Sequence, residues 1–477
     1  MNKKTVIYIL GCVLVFVSAF MLLPWFVSLI YSEETGKYFL YTAIAGFVIG
    51  RIMTWKKPEK GGFFAKEGFV SVALSWIVLS VVGAIPLWLS GEIPNFVDAL
   101  FEIVSGFTTT GASIAENVEA FSHTALFWRS FSHWIGGMGV LVFMMAILPL
   151  ADGENMHILR AESPGPIVSK LVPRMRKTAG ILYLIYLTMT MLEIIALLIS
   201  GLPTFDAVCM SLGTAGTGGF TVYNDGIAHY GSSLITYLVS IGVLVFGVNF
   251  NLYYYLMLRR VKAFLGDEEL RAYIIIVLVS TGLITLNTLH LYQGVSKSVE
   301  MAFFQVSNII TTTGFGYGDI TNWPLFSQFI LLFLMGIGGS AGSTAGGLKV
   351  IRGLILSKIA KNQILSILSP HRVLTLHVNK TVIDKDTQHK ILKYFAIYMM
   401  IILSLIFIVS LDSNDFLVVT SAVFSCFNNI GPILGTTSSF AIFSPISKIL
   451  LSFAMIAGRL EIYPILLLFM KRTWSKR

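Results

Sequence analysis

The sequence predicts an all-α polytopic membrane protein in which four similar units surround a central pore. Of its 477 residues, 55% are hydrophobic and only 12% are charged, whereas soluble domains carry about 25% charged residues. Apolar runs of roughly 20 residues, the length of a membrane-spanning helix, recur along the whole chain. Lipid offers the backbone no hydrogen-bond partners, so only helices or closed barrels cross it, and the sequence lacks the alternation of barrel strands. A short phrase rich in Thr and Gly also occurs four times, each time between two long apolar runs.

Two apolar helices are predicted before the repeated units, near Val6–Ile30 and Tyr38–Thr54. Glu33 and Glu34 fill the turn between them. The first apolar run is too long for the hydrophobic region of a signal peptide, so we expect it to be retained as a helix. A linker rich in Lys and Gly, Lys56–Lys66, follows.

Each unit is predicted to contain a spanning helix, a half-helix too short to span the membrane, a Thr/Gly loop and a second spanning helix. Together with the N-terminal pair, this arrangement gives about ten spanning helices. The predicted boundaries are 1–66 for the N-terminal segment and linker, then 67–177, 178–270, 271–386 and 387–477 for units 1 to 4. The half-helices are predicted at Asn95–Phe107, Thr204–Gly213, Ser298–Ile310 and Asn414–Phe427. Uninterrupted second helices are predicted at His123–Leu150, Ser232–Arg260 and Ser444–Met470.

Acidic residues are predicted to open the half-helices, which suits the partial positive charge of a helix N-terminus. These residues are Asp98, Asp206, Glu300 and Asp415. The opposite end of each half-helix carries partial negative charge and points at the Thr/Gly loop, so four such ends would stabilise a cation there.

The distribution of charge predicts the orientation of the chain. When the helices are threaded with the N-terminus inside, 29 of the 34 lysine and arginine residues fall on one side. By the positive-inside rule that side is cytoplasmic, and both termini lie there. The opposite face carries 13 acidic residues, Glu102 among them, and only Lys37, Lys297 and Lys448, so it would concentrate cations. The net charge of +9 therefore reflects topology and does not indicate nucleic-acid binding.

The four loops have the chemistry of a filter for dehydrated cations. Backbone carbonyls can replace the water that an ion sheds, as in potassium channels, and glycine permits the close approach of strands that this requires. Irregular backbone at membrane depth is tolerated where it lines a polar cavity or is buried in protein. The predicted ion-binding residues are Thr109, Thr110, Gly111, Gly216, Thr217, Gly218, Thr312, Thr313, Gly314, Asn429, Ile430 and Gly431.

A glycine-rich stretch interrupts the second spanning segment of unit 3. The stretch Gly336–Gly347 holds six glycines in twelve positions, and each costs a helix about 1 kcal/mol relative to Ala. A phosphate-binding loop is disfavoured because Leu348 stands where that motif needs Lys. We therefore expect a mobile loop inside the membrane, with an ordinary flexible loop as the alternative. Its candidate gating residues are Gly338, Gly339, Gly342, Gly346, Gly347 and Lys349.

Arg459 is a second gate candidate, because an ionisable residue inside a spanning helix is a functional-site hypothesis. An ordinary buried ion pair is the alternative. Glu461 is expected to face elsewhere on the helix and to pair with a base on another helix. Arg129, Glu193 and His133 are interpreted as packing residues.

The chain resembles the TrkH/TrkG/KtrB superfamily of potassium transporters, and most closely its TrkH branch, which has two extra N-terminal helices. The resemblance covers essentially the whole chain. The motifs that carry it are Thr108–Ser113, Trp128–Ser130 with Gly136–Gly139, Gly218–Phe220, Thr311–Gly316, Gly338–Lys349 and Gly458–Glu461.

This resemblance implies K⁺ uptake across the inner membrane of a bacterium through a channel-like, K⁺-selective pore. One glycine from each loop would form the filter, namely Gly111, Gly218, Gly314 and Gly431. Gly111 favours K⁺, because relatives with Ser there tend to admit Na⁺. The glycine-rich stretch would be the gating loop, and Arg459 would face the permeation path. The resemblance also implies a homodimer in lipid that docks a cytosolic nucleotide-binding ring of the TrkA type, for which Lys349–Lys393 is a plausible docking surface.

Two alternatives remain open for function. A Na⁺-permeable or Na⁺-coupled member of the same superfamily is the first, and a membrane-embedded enzyme is the distant second. No HExxH motif and no Cys/His cluster occurs in the sequence, so neither a cofactor nor a transition-metal site is expected in this chain. The sequence does not separate channel-like conduction from symport with H⁺ or Na⁺.

Overall fold

The computed structural model describes residues 2–57, 65–139, 175–292, 294–318, 320, 322–369, 374–379, 381–434 and 439–474. This part of the chain is almost wholly helical. Its only strands, Leu376–Val378 and Thr381–Ile383, form an antiparallel hairpin in which Leu376 lies opposite Ile383. The all-α class that the sequence predicts is thus confirmed.

The N-terminal segment forms the helices Lys3–Phe20, Leu22–Tyr31 and Gly36–Met53. The first and third pack through glycine: a Cβ on Gly11 would lie 2.9 Å from the Gly50 carbonyl oxygen, and a Cβ on Gly50 would lie 2.8 Å from the Gly11 carbonyl oxygen. Small residues at helix contacts are typical of membrane proteins, where helices associate by close packing.

Four units then follow the predicted order. Their first spanning helices are Ala65–Leu89, Met175–Ile199, Glu268–Thr288 and Lys385–Val409. Half-helices 1 to 4 are Phe96–Phe107, Thr204–Gly216, Val295–Ile310 and Phe416–Asn428. The second helices begin as His123–Gly137, Ser233–Phe246, Leu325–Ile337 and Pro445–Arg459.

The acidic residues at the half-helix starts agree with the prediction in three units. Asp98 and Asp206 lie in the first turns of half-helices 1 and 2, and the Asp415 carboxylate caps half-helix 4 by accepting from the N–H groups of Leu417 and Val418. Half-helix 3 differs because it begins at Val295, before the predicted Ser298, so Glu300 lies beyond its first turn.

The prediction of uninterrupted second helices is wrong in units 2 and 4. In unit 2, Ser233–Phe246 and Phe250–Met257 meet at 89°, because Asn249 caps a new helix by accepting from the Asn251 N–H. In unit 4, Pro445–Arg459 gives way to Tyr463–Phe469. The rest of the predicted helix His123–Leu150 lies outside the described residues.

Few of the described helices are individually long and apolar enough to span a membrane. Five helices of the described ranges are long and apolar enough to do so, or six when the bent pair of unit 2 counts as one. They are Lys3–Tyr31, Lys66–Leu89, Ala179–Ile199, Glu268–Thr288 and Lys385–Val409. The prediction of about ten spanning helices therefore requires shorter and interrupted helices to provide the remaining membrane crossings.

The remaining described elements lie between and after the units. Short helices occupy Val118–Ala120, Gly226–Tyr230, Val261–Leu265, Phe440–Ile442 and Lys471–Trp474, and the helix Val350–Leu368 follows the glycine-rich stretch.

Candidate functional site: a ring of four loops above an intramembrane loop

All four half-helices end in the same backbone turn. A residue in the left-handed conformation follows each one, with φ between 53° and 58°, and the next N–H donates to the carbonyl five residues earlier. This turn is a common helix ending. The left-handed residues are Thr109, Thr217, Thr312 and Asn429. Because one turn recurs four times, the loops can be compared residue by residue.

The comparison corrects one filter glycine. Two residues after the left-handed residue, each loop has a glycine with positive φ: Gly111, Gly219, Gly314 and Gly431. Loop 2 therefore contributes Gly219 at this position, and the predicted Gly218 is equivalent to Thr110, Thr313 and Ile430. The error arose because two glycines adjoin in loop 2, and only the backbone turn fixes which of them matches the others.

These four glycines form a closed ring. A Cβ on Gly111 would lie 2.1 Å from the Gly218 carbonyl oxygen, and a Cβ on Gly219 would lie 2.0 Å from that of Thr313. A Cβ on Gly314 would lie 1.9 Å from the Ile430 carbonyl oxygen, and a Cβ on Gly431 would lie 2.6 Å from that of Thr110. Each loop thus abuts the next, and the fourth abuts the first. No larger residue fits at the Gly111, Gly219 or Gly314 contacts without displacing backbone.

Several threonine hydroxyls of the loops contact other protein atoms. The hydroxyls of Thr108 and Thr110 are 2.8 Å apart, and the pair in loop 3, Thr311 and Thr313, are 2.7 Å apart. The Thr217 hydroxyl donates to the Gly216 carbonyl oxygen at 2.7 Å. These hydroxyls are engaged in protein contacts, whereas the buried Thr109 hydroxyl has no hydrogen-bond partner among the described residues, so it joins the backbone carbonyls as a candidate cation ligand.

Asn429 ties loop 4 to loop 1, although it departs from the Thr-rich pattern. Its side-chain amide donates to the Thr110 hydroxyl at 3.0 Å and to the Met455 carbonyl oxygen at 2.9 Å. The longer amide side chain therefore supplies a contact between loops.

Three buried side chains behind loops 1 and 2 were not predicted as site residues. The His133 ring contacts the Gly106 carbonyl oxygen at 2.8 Å and accepts from the Phe220 N–H at 3.3 Å. Glu102 and Arg129 form an ion pair with 0% and 2% side-chain exposure. Glu102 therefore does not belong to the acidic outer mouth. The sequence feature that could have identified this pair was the presence of an Arg and a Glu inside apolar segments.

The outer bases are all paired. Lys37 lies 2.6 Å from Glu34, Lys297 lies 2.8 Å from Glu300, and Lys448 lies 2.7 Å from Asp98. These contacts leave the excess acidic residues of this face to set its potential.

The glycine-rich stretch is non-helical from Gly338 to Lys349 and lies against the base of the loops. Its Gly346 N–H donates to the Thr312 hydroxyl at 2.6 Å. The bend of unit 2 holds it from the side, since the Ser340 N–H donates to Gly247 and the Phe250 N–H donates to Gly342. Lys349 is buried and its ammonium donates to the Ala345 carbonyl oxygen.

Arg459 fastens this intramembrane loop to unit 1. Its guanidinium donates to the Thr344 carbonyl oxygen at 2.8 Å and to the Gly137 carbonyl oxygen at 3.1 Å, and it also contacts that of Gly136. The two gate candidates of the sequence are therefore in direct contact. Glu461, as expected, pairs with a base on another helix, Arg352.

Glu269 holds both ends of the intramembrane loop. One carboxylate oxygen accepts from the Ala341 N–H at 2.7 Å and from the Ile351 N–H at 3.1 Å. The neighbouring Glu268 pairs with Lys358 and accepts from the Asn379 N–H at 3.0 Å. The start of one helix thus links the loop to the hairpin of Leu376–Val378 and Thr381–Ile383.

The described residues hold no group of three or more His, Cys, Asp or Glu side chains placed to bind a metal ion. The ring itself presents carbonyl oxygens near the negative ends of four half-helices.

Comparison with known proteins yields consistent matches. The TrkH family model, described as a cation transport protein, matches residues 35–476. The Trk system potassium uptake protein TrkH of Salmonella typhimurium is 36% identical over the full length of both chains, and TrkG of Escherichia coli K12 is 33% identical over 99% of each. The crystal structure of the potassium transporter TrkH from Vibrio parahaemolyticus covers both chains fully, with a TM-score of 0.90 and 30% identity.

Proposed function

The chain belongs to the TrkH family of cation transport proteins, and we propose that it takes up K⁺ through a selective filter formed by its four loops. The family consists of transporters, so the expectation of a transporter and not an enzyme is confirmed. The ring in which each glycine abuts the neighbouring carbonyl supports this proposal most directly. The names of the relatives as potassium uptake proteins support K⁺ as the ion.

Selection would occur at the backbone carbonyls of the ring. An ion entering from the acidic outer face exchanges its water for these oxygens. The half-helix ends add partial negative charge at the same place. The contacts that fix the ring, including Asn429 to Thr110, limit how far it can contract around a smaller ion such as Na⁺.

The intramembrane loop would act as the gate. Its Gly346 N–H donates to the Thr312 hydroxyl, and Arg459 places a positive charge at Thr344 of the same loop. A cation leaving the filter would meet this charge, so conduction requires the loop and Arg459 to separate.

A cytosolic nucleotide-binding ring of the TrkA type would drive that separation by docking on the basic segment Lys349–Lys393. We place the chain in a bacterial inner membrane as a homodimer, with both termini in the cytoplasm. Pull-down with the purified ring tests the docking: retention at low salt supports it, and no retention at low salt contradicts it.

Flux through purified, reconstituted protein tests the main proposal. We expect K⁺ and Rb⁺ to cross liposome membranes at least ten times faster than Na⁺ or Li⁺, a discrimination of about 1.4 kcal/mol. Equal Na⁺ and K⁺ flux would refute the K⁺ filter and favour the Na⁺-permeable alternative. Repeating the assay with imposed pH or Na⁺ gradients separates conduction from symport, because only a coupled transporter moves K⁺ against its own gradient.

A further inference from the structure

Three of the four loops are braced at one equivalent position by their own half-helix. The position lies five residues after the left-handed residue. Glu102 accepts from the Ile114 N–H at 2.9 Å, and the Gln305 amide donates to the Tyr317 carbonyl oxygen at 3.0 Å. In unit 4, the Ser421 hydroxyl accepts from the Leu434 N–H at 2.9 Å. Glu102 and Gln305 occupy the same place in their half-helices.

Among the described residues, loop 2 has no such brace from its own half-helix, where the residue equivalent to Glu102 and Gln305 is Met210. Unit 1 supplies the contacts instead. Arg129 donates to the Thr221 carbonyl oxygen at 3.4 Å, and its guanidinium lies 4.1 Å from the centre of the Phe220 ring. Loop 2 is therefore held by a side chain of another unit.

The same Arg129 is bound to loop 1. Its Nε donates to Glu102 at 2.8 Å, and Nη2 donates to the Ser113 hydroxyl at 3.3 Å. The Ser113 hydroxyl in turn donates to Glu102 at 3.0 Å. One guanidinium thus connects the segments that follow Gly111 and Gly219, where the ring joins loops 1 and 2.

We propose that Glu102 and Arg129 are positioning residues that set the spacing between loops 1 and 2 and thereby the preference of the filter for K⁺ over Na⁺. This inference rests on the proposed filter. Arginine suits the role because its planar fork binds several acceptors at once. The pair is fully buried, so loss of either charge leaves the other without its counter-charge, and the two loop segments relax.

Two conservative variants test the proposal. Glu102→Gln introduces the residue that unit 3 already has at this place, so it keeps the shape and removes the charge that holds Arg129. Arg129→Lys keeps the charge but cannot reach Ser113 and Thr221 together. We expect the ratio of K⁺ to Na⁺ flux in liposomes to fall about tenfold in each variant, which equals about 1.4 kcal/mol of discrimination.

Glu92→Gln is the matched control. Glu92 also accepts hydrogen bonds, from the Thr35 hydroxyl and the Ser122 N–H, but none from a filter loop. Replacing the Glu92 carboxylate should leave the ratio of K⁺ to Na⁺ flux unchanged. The melting temperature of each detergent-solubilised variant is measured in parallel, because a purely structural role lowers it without changing the ratio.

The outcomes separate this inference from the proposed function. A wild-type protein that does not discriminate K⁺ from Na⁺ refutes the filter itself. A selective wild type with two folded variants that keep the wild-type ratio refutes the positioning role alone. A reduced ratio in both variants, with Glu92→Gln at the wild-type value, supports it.

Discussion

In the repeated units, the half predicted to face outward and the half predicted to face the cytoplasm differ in how closely they follow the repeat. On the outer side, four half-helices end in one turn and four glycines form one ring. On the inner side, the second helices diverge: unit 2 bends by 89°, unit 3 opens into the stretch Gly338–Lys349, and unit 4 breaks after Arg459. Regular geometry suits coordination of an ion, whereas a gate needs one unit that can move differently from the others.

Glycine serves both halves for different reasons. In the ring it lets one loop touch the backbone of the next. In the intramembrane loop it lets the chain touch itself, since a Cβ on Gly338 would lie 2.7 Å from the Cα of Gly347. Substitutions in the two halves should therefore have opposite effects on transport.

The largest effect is expected from Gly314→Ala. The added Cβ would lie 1.9 Å from the Ile430 carbonyl oxygen at a residue with φ of 75°, so the ring must open. We expect K⁺ flux to fall by at least about tenfold, as for a site distortion of 1.4 kcal/mol or more. Gly316→Ala is the control, because no atom of the described residues lies within 4 Å of its Cβ position. Equal flux in the two variants would contradict the ring as the site of coordination.

A smaller and opposite effect is expected from Arg459→Ala. The variant removes the donors to Thr344 and Gly137 and the positive charge below the ring. We expect flux to rise by about threefold to tenfold, as for a closed state weakened by roughly 1 kcal/mol. Shortening Gly338–Gly347 should act in the same direction. The control is Lys448→Ala on the same helix, which should keep the wild-type flux. If it does, and neither Arg459→Ala nor the shortened loop raises flux above wild type, the gate is assigned wrongly.

Glu269→Ala should raise flux less, by about twofold. The variant frees the N–H groups of Ala341 and Ile351 at both ends of the loop, but the contacts of Arg459 and Thr312 remain. Hydrogen bonds to a charged group contribute about 1.5–3 kcal/mol, of which only part favours the closed loop. The same liposome assay measures the change, and a decrease below wild type would mean that Glu269 stabilises the conducting state.

The smallest effect concerns stability on the outer side. Burial raises the pKa of Glu33, but hydrogen bonds from Thr124 and His123 outweigh it, so the pKa lies below its usual value. A lowered folded-state pKa stabilises the protein above the usual Glu pKa of about 4.3, and the gain is lost as pH falls through the folded value. Glu33→Gln should therefore lower the melting temperature at pH 7 by about 2 °C.

The pH dependence and a neighbouring residue provide the check on Glu33. The difference from wild type should shrink below about pH 4.3. Glu34→Gln should change the melting temperature much less, because the Glu34 side chain is 88% exposed and water screens its contact with Lys37. If the melting temperature of Glu33→Gln stays equally far below that of the wild type at low pH, the assigned role of the Glu33 carboxylate is contradicted.

Local chemistry explains what the sequence could predict. Apolar length identified the first spanning helix of each unit, and a Thr/Gly phrase after each short apolar half-helix identified the loops. Gly219 was missed because the register depends on a backbone turn that adjacent glycines conceal. The bend at Gly247–Asn249 was missed because its flanking segments are both apolar, and hydropathy does not show where a helix changes direction. The role of Arg129 depends on contacts with Glu102 and Thr221, which only tertiary structure brings together.

The ring also has a consequence for how the protein can change. In a pore assembled from four identical chains, one codon change alters every quadrant at once. In the proposed filter each quadrant is encoded separately, so Asn429 can differ from its counterpart Thr109 while Gly111, Gly219 and Gly314 stay the same. A mutation therefore perturbs one quarter of the ring and, through the contact with its neighbour, strains the next. Such a pore can therefore change its ion preference in small steps, without a mutation that alters all four quadrants at once.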